Sequence, residues 1–228
     1  MTWDGLFGIW PFTEEVAAQR GSVNRPAGTI ETKNVTVTKA VYKDFMINKV
    51  LPAIKAKWPI QHNPVINIKI QQDGAKTHHK ENDADWMAAA TSEEGAHTWN
   101  FKLVTQSANS PDTNICDLSF FRTLQSDQWN EGYATTTEEL VEQVENAFQR
   151  FDPKMLNRSF VTLQSCYDEI LKCHGNNTYK IPHMNKARLE REGILPQELP
   201  ASPGALAAVA DMVAQPAQPP ESSDEDSE

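Results

Sequence analysis

The stretch "NPVINIKIQQDG", residues 63 to 74, constrains the fold of this chain more than any other. Ile66, Ile68 and Ile70 alternate with Val65, Asn67 and Lys69. A period of two in β-branched residues suits a strand with one buried face and does not suit a helix. The strand is expected to end near Gln72, where Asp73 follows and Gly74 permits the backbone to turn sharply away. "NFKLVTQ", residues 100 to 106, reads as another strand, and the acidic "ENDADWMAAATSEE" between the two reads as a helix.

Upstream, "VTKAVYKDFMINKVLPAIKAKW" spaces Tyr42, Met46, Val50 and Ile54 four residues apart, with Val41 and Phe45 beside them. This is an amphipathic helix with Thr38 as its N-cap, which Pro52 should kink or divide. "GLFGIWPF" reads as a strand before it, and "RGSVNRPAGT" as a loop. Beyond the turn "ANSPDTN" three helices are expected. The first opens near Asn114. The second starts at Thr136 with a capping box to Glu139, and the third runs from Asp152 and Pro153 to Cys173, where "HGNN" stops it. Strands alternating with helices, then helices alone, give an α/β class with a mainly parallel sheet.

A chain of 228 residues with 39% hydrophobic content can build one sizeable core. No apolar run reaches the roughly 18 to 20 residues of a membrane helix, and the amino terminus has no signal-peptide pattern, so an intracellular, soluble protein is expected. Cys116, Cys166 and Cys173 are an odd count without C-x-x-C spacing, which argues against a disulfide framework or a zinc cage. Residues 196–228, rich in Pro, Ala, Ser and acids, are expected to be a disordered acidic tail after a domain spanning 1–195. Within that tail, Ser222 and Ser223 suit an acid-directed serine kinase, although a solubilising role is the plainer reading. The formal charge of -10 is unevenly spread: residues 1 to 80 hold eleven basic and six acidic side chains, a local excess that permits a polyanionic partner.

In parallel sheets, functional side chains gather at the carboxyl ends of strands, because the crossovers leave a crevice there. Asp73 occupies such an end. Asp117, third residue of a helix capped by Asn114, would lie at the positive end of the helix dipole, although an acid there also serves simply as a cap. Asp112 fits a turn-forming role. Two carboxylates brought together call for a hard dication, Mg²⁺ or Mn²⁺, and the matching chemistry is phosphoryl transfer.

"IQQDGAKTH", "NSPDTNICDLSFF" and "KIPHMNKARLEREGILP", with "GIWPF", "NRPAGT" and "VLPAIKAKWP" in the same order, resemble the carboxyl-terminal part of a mariner-like transposase, of the branch in plant and oomycete genomes within the Tc1/mariner superfamily. The likeness covers roughly residues 3 to 196. It implies a ribonuclease H-like fold, a mixed sheet with flanking helices, and three metal-binding aspartates that cut and rejoin transposon-end DNA in the nucleus. By this resemblance the second and third catalytic, metal-binding aspartates fall on Asp73 and Asp117. Lys76 can neutralise a DNA phosphate and His78 can help position DNA, although a plain solvent role is the commoner one for a loop histidine, and a homodimer is compatible with the family.

The chain departs from the family in several places. The family's first aspartate and its strand lie upstream of "GIWPF", so the chain reads as a truncated domain, inactive alone, with an unpaired edge beside the strand that ends at Asp73. Asp4 sits in a turn and is a poor substitute. Gly74 and Lys76 stand where the family usually has Asn and Arg. The interval of 43 residues between Asp73 and Asp117 is long for the branch, the excess falling around "ATSEEGAHT". The alternative is a non-catalytic DNA- or protein-binding protein derived from a transposon; another ribonuclease H-like nuclease is a third.

Overall fold

The computed structural model describes residues 4–23, 25–60 and 63–214. The chain divides into two compact units, residues 1–159 and 160–228, the boundary falling inside one long helix.

The first unit is mixed α/β. Strands β1 (Thr13–Ala17) and β2 (Ile30–Asn34) form an antiparallel ribbon. Helix α1 (Lys39–Phe45) starts at Thr38, whose hydroxyl accepts the Val41 N–H. It runs through a π-helical turn (Met46–Val50) into α2 (Leu51–Lys57). The wide turn lies immediately before Pro52, which has no N–H to donate and would crowd the carbonyl four residues back. The strain is therefore taken up by one loosened turn. Strand β3 (Val65–Gln72) follows, then α3 (Ala84–Ala90), β4 (Thr91–Glu94) and β5 (His97–Thr105).

The sheet has the order β3-β5-β4, with β3 parallel to β5 and β4 antiparallel to it. It is a mixed sheet with flanking helices, as expected from the resemblance, where the alternation of elements alone suggested a mainly parallel one. The helix expected through "ENDADWMAAATSEE" stops at Ala90, and Thr91–Glu94 is a strand instead: Glu94 pairs with His97, and Gly95 at φ 61° makes the hairpin turn. "GLFGIWPF" is no strand. Gly5 has φ 79°, and a Cβ there would meet Leu156 Cδ1 at 3.0 Å, so this segment is held by packing, with Leu6 buried. The core of the sheet joins Met46, Leu51 and Ile54 to Ile66, Ile68, Trp86, Trp99 and Phe101. The alternation in β3 is the cause: even-numbered side chains are buried, apart from half-buried Ile70, and odd-numbered ones face solvent.

After a 3-10 turn (Pro111–Thr113), a π-helical turn (Cys116–Phe120) leads into α4 (Phe121–Trp129). Helix α5 (Thr137–Gln149) carries the expected capping box between Thr136 and Glu139. Leu6, Leu124, Ala147, Phe151 and Leu156 make a second core. Helix α6 (Pro153–Lys172) has the Lys154 N–H on Asp152 Oδ1 at 2.9 Å and ends at His174 and Gly175, both with positive φ.

The second unit contains the rest of α6, α7 (Lys186–Arg191) and α8 (Pro203–Ala214). Helix α8 corrects the expectation of disorder from residue 196. Ser202 Oγ accepts the Ala205 N–H, Pro203 sits in the first turn, and alanine is the best helix former. Ala205 and Ala208 are small enough to be fully buried, so a stretch poor in large apolar residues still packs. Residues 215–228, with Ser222 and Ser223, lie outside the described residues. Among the described residues no helix is long and apolar enough to cross a membrane.

Candidate functional site

Asp73 is the first residue past β3, and its side chain is 53% exposed. Its Oδ1 accepts the Ala75 N–H at 2.9 Å, a turn-forming bond; Gly74 does not have a positive φ and a Cβ there would meet nothing within 4 Å, so the turn does not depend on glycine as the sequence suggested. His78 Nδ1 lies 3.0 Å from the same oxygen and 3.1 Å from the Asp73 carbonyl. The His78 ring stacks on Tyr42 with centroids 4.1 Å apart, and the Tyr42 hydroxyl donates to Gln72 Oε1 at 3.3 Å. Burial, and then the Asp73 charge, push the Tyr42 phenol up to about 12. Tyr42 is therefore a permanent hydrogen-bond donor and a wall for the His78 ring.

Asp117 is in the first turn of the helix that leads into α4, as its spacing from Asn114 predicts. Asn114 Oδ1 accepts the Cys116 N–H at 3.0 Å, and Asn114 Nδ2 donates to Asp117 Oδ2 at 2.9 Å. The cap thus uses one oxygen of Asp117, and the other has no hydrogen-bond partner among the described residues. Burial, with Asp117 second, raises the pKa of the neighbouring Cys116 thiol, so Cys116 stays a thiol.

One side chain ties the two regions together. Gln71 Nε2 donates to the Thr113 carbonyl at 3.0 Å, and the Gln106 N–H donates to the Gln72 carbonyl at 2.8 Å. The end of β3 and the turn before the Asp117 helix are therefore fastened at the same end of the parallel pair. The two carboxylates have separate partners, and among the described residues no three of His, Cys, Asp or Glu converge as a metal site would require. Lys76 is exposed and has no acidic partner among the described residues. Asp4 Oδ1 accepts the Leu6 N–H at 2.9 Å, a turn contact.

Sequence reasoning passed over His79. It is 3% exposed, its ring lies 5.1 Å from that of Trp86 and 5.7 Å from that of Tyr42, and neither ring nitrogen has a partner among the described residues. Its main chain is better served, since Gln72 Nε2 donates to the His79 carbonyl at 2.8 Å. Adjacent histidines in "KTHHK" gave no sign that one would face Asp73 and the other the core. Comparison of the chain with protein-family models, with curated proteins and with solved structures gives no match.

Proposed function

We propose that the chain is the carboxyl-terminal part of a mariner-like transposase catalytic domain, of ribonuclease H-like type, acting on DNA in the nucleus. In this reading Asp73 and Asp117 hold one divalent cation, Mg²⁺ or Mn²⁺. The observation that carries it is the fastening of Gln71 to Thr113. Asp73 leaves the sheet two residues past the first, and Asp117 follows four residues past the second, at the end of parallel strands where crevices form. Support also comes from β3, which pairs with β5 alone among the described strands, so that its other edge is free to pair with a further strand as the family's sheet has there.

The donors suit one cation: Mg²⁺ is commonly held by one or two carboxylates, with water and phosphate oxygens completing its shell. Such an ion would neutralise phosphate charge and acidify a bound water. The chain's own residues prepare for this. His78, backed by Tyr42, fixes the Asp73 carboxylate, and Lys76 offers a point charge to a phosphate. The family's chemistry uses three acids and two appear here, so we assign this chain no strand cleavage by itself.

A non-catalytic, transposon-derived binding protein is the second reading. It is favoured by the local use of both acids, Asp73 in a turn and Asp117 in a cap. Calorimetric titration of Mn²⁺ into wild type, Asp73→Asn, Asp117→Asn and the double variant separates the two. A shared ion predicts that each single variant loses nearly all the binding and that the double variant loses little more. Heats that are the same in all four would leave only the second reading.

A further inference from the structure

Among the described residues the parallel pair β3–β5 is buried on one face and largely exposed on the other. On the other face Asn67 stands opposite Asn100, and Lys69 opposite Lys102. Paired residues of neighbouring strands are about 4.8 Å apart and point to the same side, so the two ammonium groups share one patch of surface. Parallel pairs are ordinarily buried on both faces, which makes this polar face unusual.

Like charges directly opposite each other destabilise a sheet. Structural lysines of this unit have carboxylate partners: Lys43 has Asp83 and Asp85, and Lys55 has Glu94. Lys69 and Lys102 have none among the described residues, and both are exposed. Beside them Asn100 Nδ2 donates to Asn67 Oδ1 at 3.2 Å, which leaves amide donors of the pair free to face outward. A hollow of about 670 Å³ is lined by Asn67, Lys69, Asn100 and Lys102, with Thr91 and, as its single acid, Glu81.

We propose that this face binds the phosphate backbone of a nucleic-acid duplex, with Lys69 and Lys102 neutralising phosphates and the Asn67–Asn100 pair donating hydrogen bonds. The two adjacent lysines and the amide donors match phosphodiester oxygens, while Glu81 and the exposed Glu93 of β4, opposite Thr98, are acids at the margins of the same face. The exposed side chains of the two strands on this face include no aromatic ring, so there is no platform on which an unpaired base could stack, and a duplex is the occupant that fits. The surface deepens the reading above by naming where DNA lies, yet it uses neither Asp73 nor Asp117.

The test is fluorescence anisotropy of a labelled 20-base-pair DNA duplex with the full chain, without divalent ions, across a salt series. Lys69→Gln with Lys102→Gln should weaken binding roughly tenfold and lower the salt slope by about two, one for each lysine. Glu81→Gln should tighten it. Lys39→Gln with Lys154→Gln, a control of equal charge change, should alter it less than twofold. Asp73→Asn with Asp117→Asn should leave metal-free binding no weaker, so the metal reading can fail while this one stands. An RNA duplex of the same sequence tells whether the backbone alone is read, and a single strand should bind more weakly than either. Wild type that binds no duplex, equal losses in the two lysine pairs, or a preference for the single strand would overturn the proposal. Because both lysines are exposed and mutually repelling, their replacement should leave the thermal midpoint unchanged or raised, which removes misfolding as the cause.

Discussion

His79 packs its ring 5.1 Å from that of Trp86 with neither nitrogen partnered among the described residues, a buried base whose neutral form is favoured. Burial lowers its pKa. Asp83 pulls the other way, while Lys43 and His78 act with burial. A base whose folded pKa lies below its unfolded value costs nothing above the unfolded value. It erodes stability as pH falls from about 6.5 toward the folded value. Urea midpoints at pH 7.5 and pH 5 should therefore separate more for wild type than for His79→Phe, which keeps a ring between Tyr42 and Trp86. An identical separation in both would remove His79 from the account.

Trp86 and Trp99 are 1% and 2% exposed at the centre of the sheet core. Trp86→Ala should cost about 3 to 5 kcal/mol, enough to consume much of the stability of a unit with a three-stranded sheet. Thr136→Ala, which removes one half of a surface capping box, should cost about 1 kcal/mol. Denaturant titration measures both, and comparable losses would contradict the assignment of the core.

Asp168 joins α8 to α6: its Oδ1 accepts the Ser202 N–H at 2.7 Å, and Lys172 Nζ is 2.8 Å from its Oδ2. Burial works against the charged form, yet Lys172 and Ser202 outweigh it and hold the Asp168 pKa below the usual carboxylate value. The stabilisation is thus present above the ordinary carboxylate range and lost as pH falls through the folded value. Asp168→Asn should speed amide exchange across residues 203–214 and leave that of β3 and β5 unchanged. Uniform acceleration over the whole chain would mean that α8 has no separate anchorage.

Gln71→Ala removes the bond to Thr113 from an exposed position without opening the core. A hydrogen bond of this kind contributes about 0.5 to 1.5 kcal/mol, so Mn²⁺ affinity should fall roughly two- to tenfold if the bond aligns the two acids. Unchanged affinity would show that it does not.

Where local chemistry decides the structure, these features were legible in the sequence. The Ile-x-Ile-x-Ile run forces one face of β3 inward, and Thr136 with Glu139 closes its own cap. The helix break before Pro52 follows from a missing N–H. Features set by tertiary partners were harder to see. "TSEE" has the composition of a helix end, and only pairing with β5 makes it a strand; Gly95 was the one available sign. Helix α8 needed a neighbour that accepts alanine-sized side chains, which no composition rule reveals. At the candidate site, the strand end and the helix start could be read from spacing. The Gln71–Thr113 bond and the burial of His79 could not, since each joins residues whose meeting no local pattern encodes.

Nuclear magnetic resonance of the ¹⁵N-labelled chain with substoichiometric Mn²⁺ tests most directly whether Asp73 and Asp117 serve one ion, because the paramagnetic ion broadens amides near it. With one shared ion, signals of residues 72–75 and 115–118 should fade together at the same Mn²⁺ concentration, and Asp117→Asn should protect both groups. Broadening confined to one group, or to the acids of neither, would contradict a shared ion.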